Sequence, residues 1–311
     1  MKVLIPTTIP LVFPPRQEAT FHSYDVTAPM PSEHLDAEVL VAWQNPAAQL
    51  ASAAATLHSL QLVQALASGT DAIVAAGFAQ SVKICSGRSL HDGPVAEHTL
   101  SLLFACIRRL DTLQLAQQNK HWDMDYGRRQ AHAETASEYT LSGAHILIWG
   151  FGSIASKLAP VLTMLGAHVT GVASTPRHRG GYPVISDKQA REQLPVTDIV
   201  ISLLPATAIT ENLFGSEFFP RMRRGSVFIN VGRGSTVDEQ SLITALKEGT
   251  LRVAAIDVTK DEPLPSTSPL WTVDNLIITP HVAGNRPQNA EDLIVRNVEA
   301  LRTGAPLENL Q

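Results

Sequence analysis

Residues 145–175 read HILIWGFGSIASKLAPVLTMLGAHVTGVAST, and the hydrophobic period changes twice along them. Ile146–Trp149 is a continuous apolar run, as expected of a strand covered on both faces. Gly150–Gly152 is a turn. Ile154–Leu165 has the 3.6-residue periodicity of a helix, and Gly166 stops it. Val169–Ala173 is a second strand. Strand, glycine turn, helix and strand make a βαβ unit.

The turn itself reads GFGSIA. Glycine spacing alone is weak evidence, but its place between a buried strand and a helix gives it weight. Gly150 permits the tight turn, Gly152 lets a pyrophosphate approach the backbone, and Ala155 allows close helix–strand contact. The amides of Ser153 and Ile154 then face the ligand from a helix N-terminus, where the dipole favours anions. The unit predicts a bound dinucleotide.

Further strands are expected at Ile199–Leu203, Val227–Val231, Val253–Asp257 and Leu276–Ile278, with helices at Glu217–Arg221 and Glu239–Glu248. A doubly wound parallel sheet, the Rossmann arrangement, accommodates this alternation. The first ~100 residues form a second α/β pattern. Its strands are KVLIP (2–6), EVLVAW (38–43), one within LQLVQALA (60–67) and one at Val82–Cys85, with a helix at Ala47–Leu57. Pro94–Gln118 reads as one long helix, Asn119–Ser142 as an aperiodic crossing segment, and Gln288–Leu301 as a closing helix.

Composition narrows the function classes. The chain has 311 residues, enough for two domains, with 44% hydrophobic and 17% charged residues, as in globular proteins. A net charge of −5 without a basic block longer than RMRR (221–224) gives no reason to expect nucleic acid. No apolar run approaches the ~20 residues of a membrane span, so no membrane partner is expected. The N-terminus reads as a strand rather than a leader, and the chain is expected to be cytoplasmic. Cys85 and Cys106 form no CxxC pair and read as small buried residues; no metal site is suggested.

The ribose-binding position is unusual. An acidic residue at the end of the second strand would grip the ribose hydroxyls of NAD and repel a 2′-phosphate. Ala173 stands there instead, followed by Ser174, Thr175, Arg177 and Arg179. Guanidinium groups pair with phosphate through charge-assisted forks. NADP(H) is therefore the favoured cofactor, with NAD(H) the alternative.

Three loops at expected strand ends each deliver one ionisable residue: Arg233 in INVGRGSTVDE (229–239), Glu262 in AIDVTKDEPLP (255–265) and His281 in ITPHVAGN (278–285). These types suit the reduction of a small 2-keto acid. Arg233 pairs with the carboxylate and polarises the carbonyl. A nicotinamide delivers hydride, and His281 gives the proton. A carboxylate partner favours a charged imidazole, and Glu262 fits that place. Arg88 and His91 follow a strand of the first domain and are read as cleft or surface residues, with surface preferred.

These motifs together resemble the D-isomer-specific 2-hydroxyacid dehydrogenase family. The resemblance is carried by LASGTDAIVAAG (66–77), GPVAEHTLSLLFACIRRL (93–110), LSGAHILIWGFGSIA (141–155), SLLPATAITENLF (202–214), FINVGRGSTVDEQSLITALKEGTL (228–251), AAIDVTKDEPLPSTSPLW (254–271) and NLIITPHVAG (275–284). It implies a discontinuous flavodoxin-like substrate domain, residues 1–98 plus 283–311, around a cofactor domain of residues 99–282. It assigns Arg233, Glu262 and His281 to catalysis, and Ser68 and Gly69 to the substrate carboxylate. Thr99, Leu204, Pro205, Val231, Gly232 and Asp257 match positions around the cofactor. Relatives are usually homodimers. The missing acidic residue near Ala173 is similar to the NADPH-preferring glyoxylate and hydroxypyruvate reductases. Two alternatives stay open: an NAD-dependent dehydrogenase, for instance of 3-phosphoglycerate, and a dinucleotide-sensing binding protein on the same fold.

Overall fold

The computed structural model describes residues 1–15 and 18–311. By internal contacts the chain separates into one unit of residues 1–91 with 284–311 and another of residues 92–283.

The first unit is built on strands β1 (Lys2–Pro6), β2 (Thr20–Tyr24), β3 (Val39–Ala42), β4 (Leu62–Ala65) and β5 (Lys83–Cys85). They are parallel in the order β2-β1-β3-β4-β5, the flavodoxin-like order. β3 and β4 are buried along their whole length: β3 (VLVA) is an unbroken apolar run, and β4 (LVQA) is broken only by the buried Gln64. Helices α1 (Ala47–Thr56) and α2 (Asp71–Ala75) connect them.

The second unit opens with α3 (Asp92–Ile107), α4 (Leu110–Gln118) and α5 (Met124–Ala131). Its sheet comprises β6 (His145–Trp149), β7 (His168–Val172), β8 (Arg177–Arg179), β9 (Tyr182–Ile185), β10 (Ile199–Ser202), β11 (Ser226–Asn230), β12 (Leu251–Ile256) and β13 (Leu276–Ile278). The order is β13-β12-β11-β10-β6-β7-β9-β8, parallel except for the β8–β9 pair. The connecting helices are α6 (Ser153–Met164), α7 (Asp187–Gln193) and α8 (Glu239–Lys247). β6 shows how the sheet divides its core. Ile146 and Ile148 enter the cluster shared with α3 and α6, and Leu147 and Trp149 enter the opposite cluster with Phe214, Phe218 and Phe228. Beyond β13 the chain returns to the first unit, where α9 (Ala290–Thr303) buries Leu293, Ile294 and Val298.

The structure corrects four readings. The helix expected over 94–118 breaks at Arg109, whose φ of +46° lies in the left-handed region. The Arg109 guanidinium forks onto Asp111, with contacts of 3.0 and 2.9 Å, and this local pair offsets the backbone strain. The segment 119–142 is not aperiodic: Asp123 caps α5, and Ala136–Tyr139 forms a 3₁₀ turn. Tyr126 anchors that segment by donating its hydroxyl to the Arg108 carbonyl. The helix expected at 217–221 is only the 3₁₀ turn Phe219–Arg221. Finally, the edge strand β2 and the β8–β9 hairpin went unpredicted. Their sequences, TFHSY and RHR, are polar because each pairs on one side only, and charged residues suit an exposed edge. Arg177 and Arg179 therefore stand on a strand rather than in a loop.

Both cysteines are free and buried. Burial pushes the Cys85 thiol up to about 11 and the Cys106 thiol up to about 12. Among the described residues no helix is long and apolar enough to cross a membrane.

Candidate active site

β6 and β10 are neighbours, and the chain leaves them toward opposite sides of the sheet. Their carboxyl ends are the topological switch point, where open α/β sheets bind ligands. The turn Gly150–Gly152 sits there. Gly150 has φ +85°, and a Cβ on it would lie 2.8 Å from the Leu203 carbonyl oxygen, so only glycine fits. A Cβ on Gly152 would meet nothing nearer than 3.9 Å, which leaves open space in front of the turn. No side chain caps the N-terminus of α6. Open space before an uncapped helix start suits a pyrophosphate. Ser153 donates its hydroxyl to buried Asp92 at 2.9 Å, and Ile154 packs partly into the core beside Ala155.

The residues after β7 divide into two kinds. Ser174, Thr175 and Arg177 are exposed. Arg179 is half-buried and donates to the Phe151 carbonyl within the glycine turn. It braces the turn, which leaves Arg177 as the guanidinium presented to solvent on this edge. Leu204 is half-buried and Pro205 exposed, both just past β10. Val231 is buried just past β11, and the neighbouring Gly232 amide donates to the Asn230 side chain. Thr99 is fully buried, and its hydroxyl turns back onto the Val95 carbonyl of α3.

Arg233 follows β11 and stands half-buried, with Nη1 donating to the Gly232 carbonyl at 2.8 Å. Its loop is held against the next by Gly234. A Cβ there would lie 2.0 Å from the Thr259 carbonyl carbon and oxygen. Thr259 in turn positions Glu262, whose Oε1 accepts from the Thr259 amide at 3.0 Å. The other carboxylate oxygen, Oε2, lies 2.6 Å from His281 Nδ1. A carboxylate only accepts, so Nδ1 carries the proton in this pair. The second ring nitrogen, Nε2, is left for a reacting group. About half of the His281 side chain is exposed, with a relative exposure of 47%, so a small substrate can reach it. The structure thus brings Glu262 and His281 into direct contact and places Arg233 on the adjoining loop.

Ser68 and Gly69 lie in the loop after β4, Ser68 exposed and Gly69 half-buried. Arg88 is exposed, as preferred from the sequence. His91 is not: it is buried, stacked on Trp43 with centroids 5.4 Å apart, and its Nε2 lies 2.7 Å from the Leu66 carbonyl. An imidazole flanked by a tryptophan and a backbone acceptor belongs to the core of the first unit.

Asp257 departs from expectation in detail. It is 1% exposed, and its carboxylate accepts from the Thr279 hydroxyl at 2.6 Å, the Val282 amide at 3.0 Å and the Ala283 amide at 2.9 Å. His98 Nε2 lies 3.3 Å away. These contacts tie down the segment that carries His281. His98 and Thr279 were not singled out from the sequence. The only available signal was the position of Thr279, two residues before His281 at the same strand end.

Comparison with known proteins identifies the family. Residues 100–283 match the family model "D-isomer specific 2-hydroxyacid dehydrogenase, NAD binding domain". Glyoxylate/hydroxypyruvate reductase A of Serratia proteamaculans (strain 568) is 30% identical over 288 residues, 90% of this chain and 87% of the relative. A D-isomer specific 2-hydroxyacid dehydrogenase family protein from Aeromonas salmonicida subsp. salmonicida A449 superposes with a TM-score of 0.84 at 27% identity, covering 100% of this chain and 98% of the other. A D-isomer specific 2-hydroxyacid dehydrogenase from Xanthobacter autotrophicus Py2, in complex with NADPH and MES, gives a TM-score of 0.73 at 30% identity, covering 88% and 84%. The chain is an oxidoreductase belonging to the D-isomer specific 2-hydroxyacid dehydrogenase family.

Proposed function

We propose that this protein reduces a small 2-keto acid such as glyoxylate or hydroxypyruvate to the corresponding 2-hydroxy acid, the D isomer where the product is chiral, with NADPH as the preferred reductant. The observation that carries the reading is the 2.6 Å contact between His281 Nδ1 and Glu262, on a side chain that is about half exposed. A half-exposed imidazole oriented by a carboxylate at one nitrogen is suited to exchange a proton with a substrate oxygen at the other.

When bound, the reduced nicotinamide supplies a hydride to the carbonyl carbon. Every other part of the reaction falls to the chain. The turn at Gly150–Gly152 and the first amides of α6 hold the pyrophosphate. Arg233 binds the substrate carboxylate and draws electron density from the adjacent carbonyl. His281 Nε2 gives its proton to the carbonyl oxygen as charge develops there. Glu262 holds the ring in place and stabilises the imidazole while it is charged. In the oxidative direction His281 takes the proton back.

Arg177 carries the cofactor preference. No acidic residue stands at Ala173 to repel a 2′-phosphate, and Arg177 is the exposed guanidinium nearby in sequence. The NADPH complex of the Xanthobacter relative and the reductase name of the Serratia relative support this reading. Assembly as a homodimer belongs to the same proposal. It is supported by the exposed apolar side chains of Leu115, Trp122 and Met124, of which Trp122 is 86% exposed.

The test is a panel of 2-keto acids assayed with NADPH and with NADH at matched concentrations. Reduction of glyoxylate or hydroxypyruvate, faster with NADPH, is expected. Failure to turn over any 2-keto acid with either cofactor would remove the reading.

A further inference from the structure

The proposed acid–base residue is held in an unusual backbone conformation. His281 has φ +52°, in the left-handed region that non-glycine residues seldom occupy. Such a conformation persists only when its surroundings over-determine it. The surroundings here converge on Asp257. Its backbone carbonyl accepts from the His281 amide at 2.7 Å. Its carboxylate accepts from the next two amides, Val282 and Ala283. It also takes the hydroxyl proton of Thr279, two residues before His281. One buried acidic residue therefore grips residues 279–283 at four points, and His281 is the apex of the segment.

The last partner of this carboxylate comes from another element. His98, on α3, places Nε2 3.0 Å from Thr279 Oγ1 and 3.3 Å from Asp257 Oδ1. The direction of the bonds follows from what each atom can offer. The Thr279 hydroxyl has one proton, committed to the carboxylate at 2.6 Å. Toward His98 it has only a lone pair. Nε2 of His98 is thus the donor, and a relay runs from His98 through Thr279 to Asp257. A buried carboxylate needs such partners, because without them its charge is strongly disfavoured.

We propose that His98 is a positioning residue for His281: through its Nε2 donor it fixes Thr279 and Asp257, and so the left-handed turn that presents the His281 ring. It acts through Thr279 and Asp257. The kinetic part of this proposal rests on the functional reading above; the structural part does not. His98 sits one residue before Thr99, whose buried hydroxyl is turned back on its own helix, so the two neighbours serve different ends.

Two substitutions separate the donor from the bulk of the ring. His98→Gln keeps an amide N–H at about the reach of Nε2. His98→Leu fills similar space without a donor. In His98→Leu, kcat for the keto acid should fall roughly tenfold, the scale of one ordinary hydrogen bond, and KM for NADPH should change less than about threefold. His98→Gln should recover most of that loss. In the protein without cofactor, amide hydrogen exchange at Val282 and Ala283 should speed up roughly tenfold in His98→Leu and stay near wild type in His98→Gln. The proposal is overturned if His98→Leu retains wild-type kcat and exchange, if both variants lose kcat equally, or if the loss lies entirely in KM for NADPH. If the wild-type protein reduces no keto acid, the functional reading fails, and the exchange measurement alone still decides whether His98 holds the turn.

Discussion

Gly234 makes the most demanding contact in the site, and substituting it by alanine tests how the loops are assembled. A Cβ at this position would lie 2.0 Å from the Thr259 carbonyl carbon and oxygen, whereas ordinary contact begins near 3.4 Å. The two loops must therefore separate by about 1.4 Å, the difference between those distances. The obstacle is backbone on both sides, so no rotamer change relieves it. One loop carries Arg233; the other carries Glu262, whose carboxylate is bonded to the Thr259 amide. The shift should thus move the carboxylate-binding group away from the His281–Glu262 pair. Misplacing a positioned group by about 1 Å costs on the order of 10²-fold in rate. Overpacking a tight site costs roughly 1–3 kcal/mol in stability. Gly234→Ala should lower kcat/KM for glyoxylate by about 10²-fold and lower the melting temperature, with NADPH affinity less affected. Steady-state kinetics, a fluorescence titration with NADPH and a thermal melt would measure the three. Wild-type kinetics together with an unchanged melt would show that the loops do not meet as described.

Three further outcomes follow from other parts of the molecule. Arg177→Ala should raise KM for NADPH about tenfold or more and leave KM for NADH nearly unchanged, the pattern of a lost charge-assisted phosphate contact; equal effects on both cofactors would place Arg177 elsewhere. Asp238 caps α8 by accepting from the Ser241 amide at 2.7 Å, and this bonding, from the Ser241 side chain and amide, holds its carboxyl below the usual carboxylate range. Its contribution is present above the ordinary carboxylate pKa and is lost as pH falls through the lowered folded value. Asp238→Ala should therefore cost about 1 kcal/mol in urea unfolding near neutral pH and progressively less in acid; a pH-independent cost would argue against the charged cap. The thiols of Cys85 and Cys106, buried and pushed up to about 11 and about 12, should resist alkylation at neutral pH in the native protein and react on unfolding. Rapid native labelling of either would contradict their burial.

The buried strands were legible because parallel sheets covered on both faces demand continuous apolar runs, and Ile146–Trp149 and Val227–Ile229 supply them. The glycine turn was legible because its neighbours, not its glycines alone, set its meaning. The edges were not. β2 and β8 present polar side chains to solvent, and nothing in TFHSY or RHR distinguishes an edge strand from a loop. The long-helix reading failed at Arg109 because an apolar stripe continues across the break, and periodicity does not reveal the local Arg109–Asp111 pair that accompanies it. In the site, Arg233, Glu262 and His281 showed themselves as ionisable residues at successive strand ends. The pairing of Asp257 with His98 and Thr279 did not, because His98 lies on a helix far back in the chain and its imidazole looks like any other on a helix face. Arg179 is a similar case: its charge suggested phosphate, and its bond to Phe151 is visible only once β8 folds beside the turn.

The central claim is that His281 transfers the proton while the cofactor is held by other groups. His281→Ala with glyoxylate and NADPH tests it most directly, with turnover and NADPH binding measured on the same preparation. The account predicts a fall in kcat of roughly 10²–10⁴-fold with NADPH affinity close to wild type. Retained turnover, or a loss of NADPH binding that explains the whole effect, would contradict it.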